Sequence, residues 1–302
     1  VILAAGLSPA WQQILVFDRF RVGDVNRAVE THACASGKVI NVGMALFHLG
    51  SDSHTLTVIG GTTGQGIRDE FAANGIPATW IETDVPTRTC TTILDRSTGV
   101  TTELVENTSP IGNNVLQRFA DEFRQHAAAG DVVVITGSSP PGTPPTLYRD
   151  LLRAAPARCI LDIRGDELLA ALETRPFVVK PNRDELAATV RRELWNDDDL
   201  LAAMRELNGQ GAEWVIVTDG CRPVWMTSAE ETIRVPPATV DAVNPIGCGD
   251  CLAAGIAWGI AQGRPAAEWL RLGIAAAAEN AVQLLPARLD PQRVRTLAES
   301  MA

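Results

Sequence analysis

Asn244-Pro245-Ile246-Gly247-Cys248-Gly249-Asp250-Cys251-Leu252-Ala253-Ala254-Gly255 sets two glycines one residue apart before a long apolar, Ala-rich run. The run reads as a helix near 249–262 entered through a glycine turn. Such a turn lets successive backbone N–H groups converge on one point, where the helix dipole also favours negative charge. That describes an anion hole, and Asp250 beside it would repel an anion that merely rests there. The pairing makes sense for an anion in transit. Asp250 takes a proton from an attacking hydroxyl while the N–H groups of Gly247, Cys248 and Gly249 stabilise the phosphoryl group under attack. The plainer reading of the same residues is a helix that starts at a Gly turn with Asp in its first turn.

Outward from this loop, strand-like and helix-like patterns alternate for most of the chain, which predicts a mostly parallel sheet with helices on both faces. Strands are expected near 1–7, 55–60, 131–136, 158–163, 176–180 and 214–218. Helices are expected near 38–49, 65–74, 113–128, 144–154, 165–173, 183–193, 197–209, 249–262 and 266–284. Two segments break the alternation. Residues 11–31 carry Ile14-Leu15-Val16-Phe17, a Gly23-Asp24 turn and then Val25-Asn26-Arg27-Ala28-Val29. Residues 87–106 run through Thr91-Thr92-Ile93-Leu94, turn at Ser97-Thr98-Gly99 and return as Val100 to Val105. Both read as β-hairpins too small to fold alone, pairing into a flap beside the main sheet. A flap over a site excludes water, which phosphoryl transfer needs. The whole of 1–302 reads as one α/β domain with this small lid.

Composition narrows the function. The net charge of −10 argues against nucleic acid or an anionic membrane surface as the main partner. Val1-Ile2-Leu3-Ala4-Ala5-Gly6-Leu7 is too short for a membrane span and lacks a basic leader, so it reads as a buried first strand. Six scattered cysteines do not form a disulfide framework, and a reducing cytoplasm is the expectation. Cys248 and Cys251 form a C-x-x-C without a second pair or a nearby His pair to complete a zinc set. Arginine fills nearly every basic role, leaving only Lys38 and Lys180 as lysines.

Both lysines stand at expected strand ends or helix starts, where ligands sit in open α/β sheets. Gly37-Lys38-Val39-Ile40-Asn41 opens a helix with Lys38 and Asn41 three apart, suited to an anionic or hydroxylated ligand or to a plain solvated helix start. It is not a Walker A loop, since His32 and Val39 occupy the positions of the first glycine and the final Ser/Thr. Lys180-Pro181-Asn182-Arg183-Asp184-Glu185 follows an apolar strand. Asn182 and Glu185 have the spacing of a capping box, or of a pair organising a hydrated Mg²⁺. Thr218-Asp219-Gly220 ends a further strand, as a β-turn or a contact to nucleotide phosphates.

In this order the pieces resemble the ribokinase-like sugar kinases, and among them the phosphofructokinase B group with its 1-phosphofructokinases and tagatose-6-phosphate kinases. The resemblance spans essentially the whole chain. Gly247-Cys248-Gly249-Asp250 resembles the Gly-Ala-Gly-Asp signature, Asn182 to Glu185 the N-x-x-E motif, and Thr136 to Gly142 the Ser-Gly-Ser-Leu-Pro loop. Gly23-Asp24-Val25-Asn26-Arg27 resembles the Gly-Glu-Val-Asn-Arg turn of the flap. The resemblance implies ATP- and Mg²⁺-dependent transfer of a phosphoryl group to a hydroxyl of a sugar or sugar phosphate. It implies Asp250 as base, Gly247, Cys248 and Gly249 as anion hole, and Asn182 and Glu185 acting on the metal through water. Lys180, Thr218 and Gly220 would lie along the ATP; Lys38, Arg88, Ser138 and Arg27 would hold the substrate's own phosphate; Gly37, Asn41 and Gln12 would meet the sugar hydroxyls. In this family the flap hairpins often pair across a homodimer. The departures gather at the sugar end: Gln12 for a carboxylate, Val39 for a second glycine, and on the ATP side Pro223 for a glycine.

Other classes fit less well. A non-catalytic binding protein of the same fold would not need Asp250, Asn182 and Glu185 together. A dinucleotide oxidoreductase would carry its G-x-G-x-x-G after the first strand, and here Leu252 breaks the motif.

Overall fold

A computed structural model describes residues 1–155 and 158–301. Residues 156, 157 and 302 of the expected domain therefore lie outside the described residues. Thirteen strands and ten α-helices were assigned among the described residues. The larger sheet has the strand order β13-β12-β11-β10-β9-β8-β1-β4-β5. Its strands are β1 (Ile2–Gly6), β4 (Ser53–Ile59), β5 (Ala78–Glu82), β8 (Val132–Thr136), β9 (Arg158–Asp162), β10 (Val178–Val179), β11 (Trp214–Val217), β12 (Val224–Thr227) and β13 (Thr232–Val235). Pairing is parallel from β5 to β11 and antiparallel only at the β12 and β13 edge.

The central strands are apolar on both faces because helices cover both. In β1, Ile2 and Ala4 enter one core and Leu3 and Ala5 the other. In β8, Val132 and Val134 share the first core, Val133 and Ile135 the second. The first core is closed by α1 (Lys38–His48), α2 (Gly61–Asn74), α8 (Cys248–Ala261), α9 (Ala266–Ala281) and α10 (Pro291–Ser300). The second is closed by α3 (Asn113–Ala128), α4 (Leu147–Leu152), α5 (Gly165–Ala171), α6 (Arg183–Val190) and α7 (Asp197–Gly209). The chain builds outward to β4 and β5 on one side of β1 and to β8, β9 and β10 on the other. The resulting switch point at β1 and β8 is where open α/β sheets hold ligands.

Helix α8 is seated unusually deep. A Cβ on Gly255 would lie 2.6 Å from the Leu272 carbonyl oxygen of α9, so only glycine permits this approach. The close seat fixes the start of α8, and with it Asp250, against the strand ends.

The smaller sheet has the order β3-β2-β6-β7, from β2 (Ala10–Phe17), β3 (Glu30–Ser36), β6 (Thr89–Asp95) and β7 (Val100–Val105). The second hairpin forms as expected. The first is corrected: Val25 to Val29 do not form the return strand. That strand is β3, with Leu15 opposite Thr31 and Gln12 opposite Cys34, and 18–29 is a loop. Pairing partners and burial of Cys34 and Ala35 outweighed the stronger β-propensity of the valines, which stay exposed. The patterns for β5, β12, β13 and α10 were not anticipated. All four are peripheral, and three are strands of four or five residues.

Candidate active site

The carboxyl ends of the central strands, the start of α8 and one face of the lid enclose a cleft of about 340 Å³. Gln12, Gly37, Lys38, Asn41, Arg88, Lys180, Asn182, Glu185, Thr218, Gly247, Cys248, Gly249 and Asp250 all line it. A neighbouring chamber of about 700 Å³ shares Lys38, Arg88 and Glu185 and adds Ser8, Ser138 and Arg164. Two expected residues lie elsewhere. Arg27 is exposed in the lid loop, and Gly220 sits in an exposed left-handed turn with φ of 55° beyond the end of β11; neither lines either chamber.

Gly247 is the N-cap of α8 in the left-handed region, with φ of 84°. This conformation brings Gly247, Cys248 and Gly249 into the cleft wall at the start of α8, where the first N–H groups have no partner inside the helix. The Cys248 N–H is already turned to the Pro245 carbonyl at 3.3 Å. Asp250, in the first turn, is only 7% exposed. Asn41 on α1 donates its Nδ2–H to Asp250 Oδ2 at 2.7 Å, and Ser36 Oγ bonds Asn41 Oδ1 at 3.1 Å. Burial, reinforced by the nearby Asp162 charge, pushes Asp250 up to about 7, against the lowering effects of Lys38, Asn41 and Lys180. A carboxylate with that proton affinity can take a proton from a hydroxyl near neutrality.

The other buried carboxylate was not anticipated. Asp162 at the end of β9 is 1% exposed and accepts from Lys180 Nζ at 3.2 Å, Lys38 Nζ at 3.3 Å and Thr136 Oγ1 at 3.0 Å. Burial alone would raise it, but Lys180 and Lys38 hold it below its ordinary range. Lys38 also reaches Glu185 Oε1 at 3.1 Å. Burial opposes the Lys38 charge, yet Asp162, Glu185 and Asp250 together raise its proton affinity. Lys180 Nζ lies 3.7 Å from where a Cβ on Gly249 would be, so its charge points at the anion hole. No local pattern marks Asp162: a lone Asp ends an apolar strand, and its partner Lys38 is 124 residues away in sequence.

Asn182 and Glu185 do form the capping box: Asn182 Oδ1 accepts from the Glu185 N–H at 2.7 Å and Glu185 Oε2 from the Asn182 N–H at 3.0 Å. The box fixes Glu185 in the cleft wall, so the structural and site placements coincide. Gln12 is buried in β2 and donates Nε2–H to Thr92 Oγ1 at 2.7 Å and to the Gln13 carbonyl at 3.3 Å. Both amide protons are thereby spent inside the lid.

The model of the pfkB family of carbohydrate kinases matches residues 12–287. The chain belongs to that family. It is 30% identical to a tagatose-6-phosphate kinase of Staphylococcus epidermidis over 293 residues, covering 94% of this chain and 93% of that one. Phosphofructokinase-2 from Escherichia coli, solved in complex with fructose-6-phosphate, superposes with a TM-score of 0.88 at 25% identity, covering 100% of this chain and 99% of the other. A possible 1-phosphofructokinase from Thermotoga maritima shares the fold at a TM-score of 0.90 and 22% identity, over 99% and 97% of the two chains. The ribokinase-like fold expected from the sequence is the fold observed.

Proposed function

We propose that this pfkB-family kinase transfers the γ-phosphoryl group of ATP to a hydroxyl of a sugar phosphate of the fructose 1-phosphate or tagatose 6-phosphate kind. The observation that carries the reading is Asp250: a buried carboxyl with its proton affinity raised to about 7, at the start of α8 beside the anion hole. Asp250 takes the acceptor proton at Oδ1 or Oδ2 while Asn41 holds the carboxylate in place. The first N–H groups of α8 and Lys180 stabilise the transferring group, and Thr218 lies along the nucleotide. Lys38, Arg88 and Ser138 surround the substrate's phosphate, with Gly37, Asn41 and Gln12 on the sugar hydroxyls. The lid wall from Gln12 to Val105 excludes water from this chemistry.

The residues present suit a hydrated Mg²⁺. Among the described residues no three-ligand metal cluster exists, and Glu185 is a hard oxygen donor already engaged with Lys38 and a backbone N–H. Asn182 and Glu185 would hold such an ion through water. Bound there, it would supply positive charge against the phosphates of the nucleotide. We further propose that copies pair through the lid, because Val22, Val25, Val29 and Leu104 are exposed large hydrophobics there. Among the described residues no helix is long and apolar enough to cross a membrane, and a cytoplasmic site of action is proposed with the fold and charge.

An ATP-consumption assay over a panel of sugars and sugar phosphates tests the reading. Turnover with a ketohexose phosphate supports it. Tight binding of one compound with no turnover on any would instead make the chain a binding protein of the kinase fold.

A further inference from the structure

The thiols of the C-x-x-C at the head of α8 are not used by the phosphoryl-transfer reading. Cys248 and Cys251 are the first and fourth residues of α8, three apart and therefore on one face of its first turn. One side chain bridges them. Asn280 of α9 donates Nδ2–H to Cys248 Sγ at 3.3 Å, and Cys251 Sγ–H donates to Asn280 Oδ1 at 3.3 Å. The orientation of this amide is fixed independently, because Nδ2–H also donates to the Ile246 carbonyl at 2.8 Å and Oδ1 accepts from the Ala287 N–H at 2.6 Å. The two sulfurs thus lie against adjacent atoms of a single amide. They also differ in access. Cys248 is partly exposed and lines the cleft, whereas Cys251 is fully buried behind it.

We propose that Cys248 and Cys251 form a reversible thiol–disulfide modification site for a hydroperoxide, and that oxidation disables the anion hole; the second half rests on the kinase reading. Cys248 is the attacking sulfur, since it faces the cleft and accepts an N–H. It attacks one oxygen of hydrogen peroxide: an S–O bond forms, the O–O bond breaks, and the leaving hydroxide takes the Cys248 thiol proton to become water. The Cys251 sulfur then attacks the Cys248 sulfur. An S–S bond forms, the S–O bond breaks, and the hydroxide released takes the Cys251 proton as a second water. Both sulfurs are oxidised and the peroxide is reduced, with no other reactant.

The coupling to activity is geometric. Helical neighbours three apart have Cβ atoms about 5–6 Å from each other, whereas a disulfide needs about 3.8 Å. Closing the bond must tighten the first turn of α8 by about 1–2 Å. That turn carries the anion-hole N–H groups and Asp250. The Cys251 S–H donation to Asn280 Oδ1, which ties the turn to α9, is lost at the same time. Burial pushes the Cys248 thiol up, partly offset by the Asn280 N–H, so the site responds slowly to peroxide at neutral pH.

The test treats the full-length reduced chain with hydrogen peroxide and follows both the peptide holding residues 248–251 by mass and ATP turnover. The expected result is loss of two hydrogens within that peptide, a fall in turnover on the order of 100-fold, as for loss of an oxyanion-hole donor, and recovery of both with dithiothreitol. Cys251→Ala, which places one more alanine in an Ala-lined core, should instead gain oxygen at Cys248 and lose no hydrogens. Oxygen addition alone in the wild type, or a disulfide mapped to Cys221 instead, overturns the site. A disulfide at 248–251 with unchanged turnover overturns the coupling. If the reduced chain turns over no sugar phosphate, the mass result still decides the disulfide on its own.

Discussion

Asp162 and Asp250 are two carboxylates buried at the same cleft, and their surroundings drive them in opposite directions. Asp162 closes a strand between two ammonium groups and a hydroxyl, and stays ionised. Asp250 opens a helix against one amide, with Asp162 as a like charge nearby, and its proton affinity rises to about 7. One carboxylate is an anchor for Lys38 and Lys180; the other is free to exchange a proton. Burial is common to both, so the partners decide the role.

Removing each one should break the comparison in a different readout. Asp250→Asn keeps the Asn41 contact and the shape but not the base, so kcat should fall by about 10²–10⁴ with no loss of thermal stability near neutral pH. Asp162→Asn leaves Lys180, which is 3% exposed, without its counter-charge. Denaturant titration should show a loss of about 3–5 kcal/mol, the cost of breaking a buried pair. Equal effects of the two substitutions on stability would erase the distinction.

Their pH signatures should also oppose. The folded value for Asp250 lies above its ordinary 3.8, so its contribution to stability is full below that value and is lost as pH rises through about 7. Asp162 is depressed, so its contribution is present above the ordinary carboxyl range and is lost as pH falls through its folded value. The stability difference between wild type and Asp250→Asn, measured across this range, should therefore favour wild type most in acid. A difference that grows toward alkaline pH contradicts the assignment. The smallest effect is expected at the sugar end. Gln12→Ala removes the 2.7 Å bond to Thr92, a stability loss of about 1 kcal/mol, and should raise KM for the sugar phosphate more than it lowers kcat.

The alternating pattern was enough to read the parallel core and both faces of helices, because β1 and β8 are apolar throughout and α3 and α7 each bury a single stripe at helical spacing. Most of the cleft was legible too, since glycine turns and lysines at strand ends signal locally. Asp162 and Asn280 were not. Their roles come from Lys38, Lys180, Cys248 and Cys251, brought to them from distant parts of the chain or a neighbouring helix. The return strand β3 was misplaced for a similar reason: its partner and burial, rather than its own propensity, chose it.

The pH dependence of kcat/KM for phosphoryl transfer to a ketohexose phosphate tests the central claim, that Asp250 is the base, most directly. The account predicts a limb that rises with pH through about 7 as Asp250 loses its proton, and the collapse of that limb together with the rate in Asp250→Asn. A profile flat across neutrality, or an Asp250→Asn enzyme as fast as wild type, would contradict it.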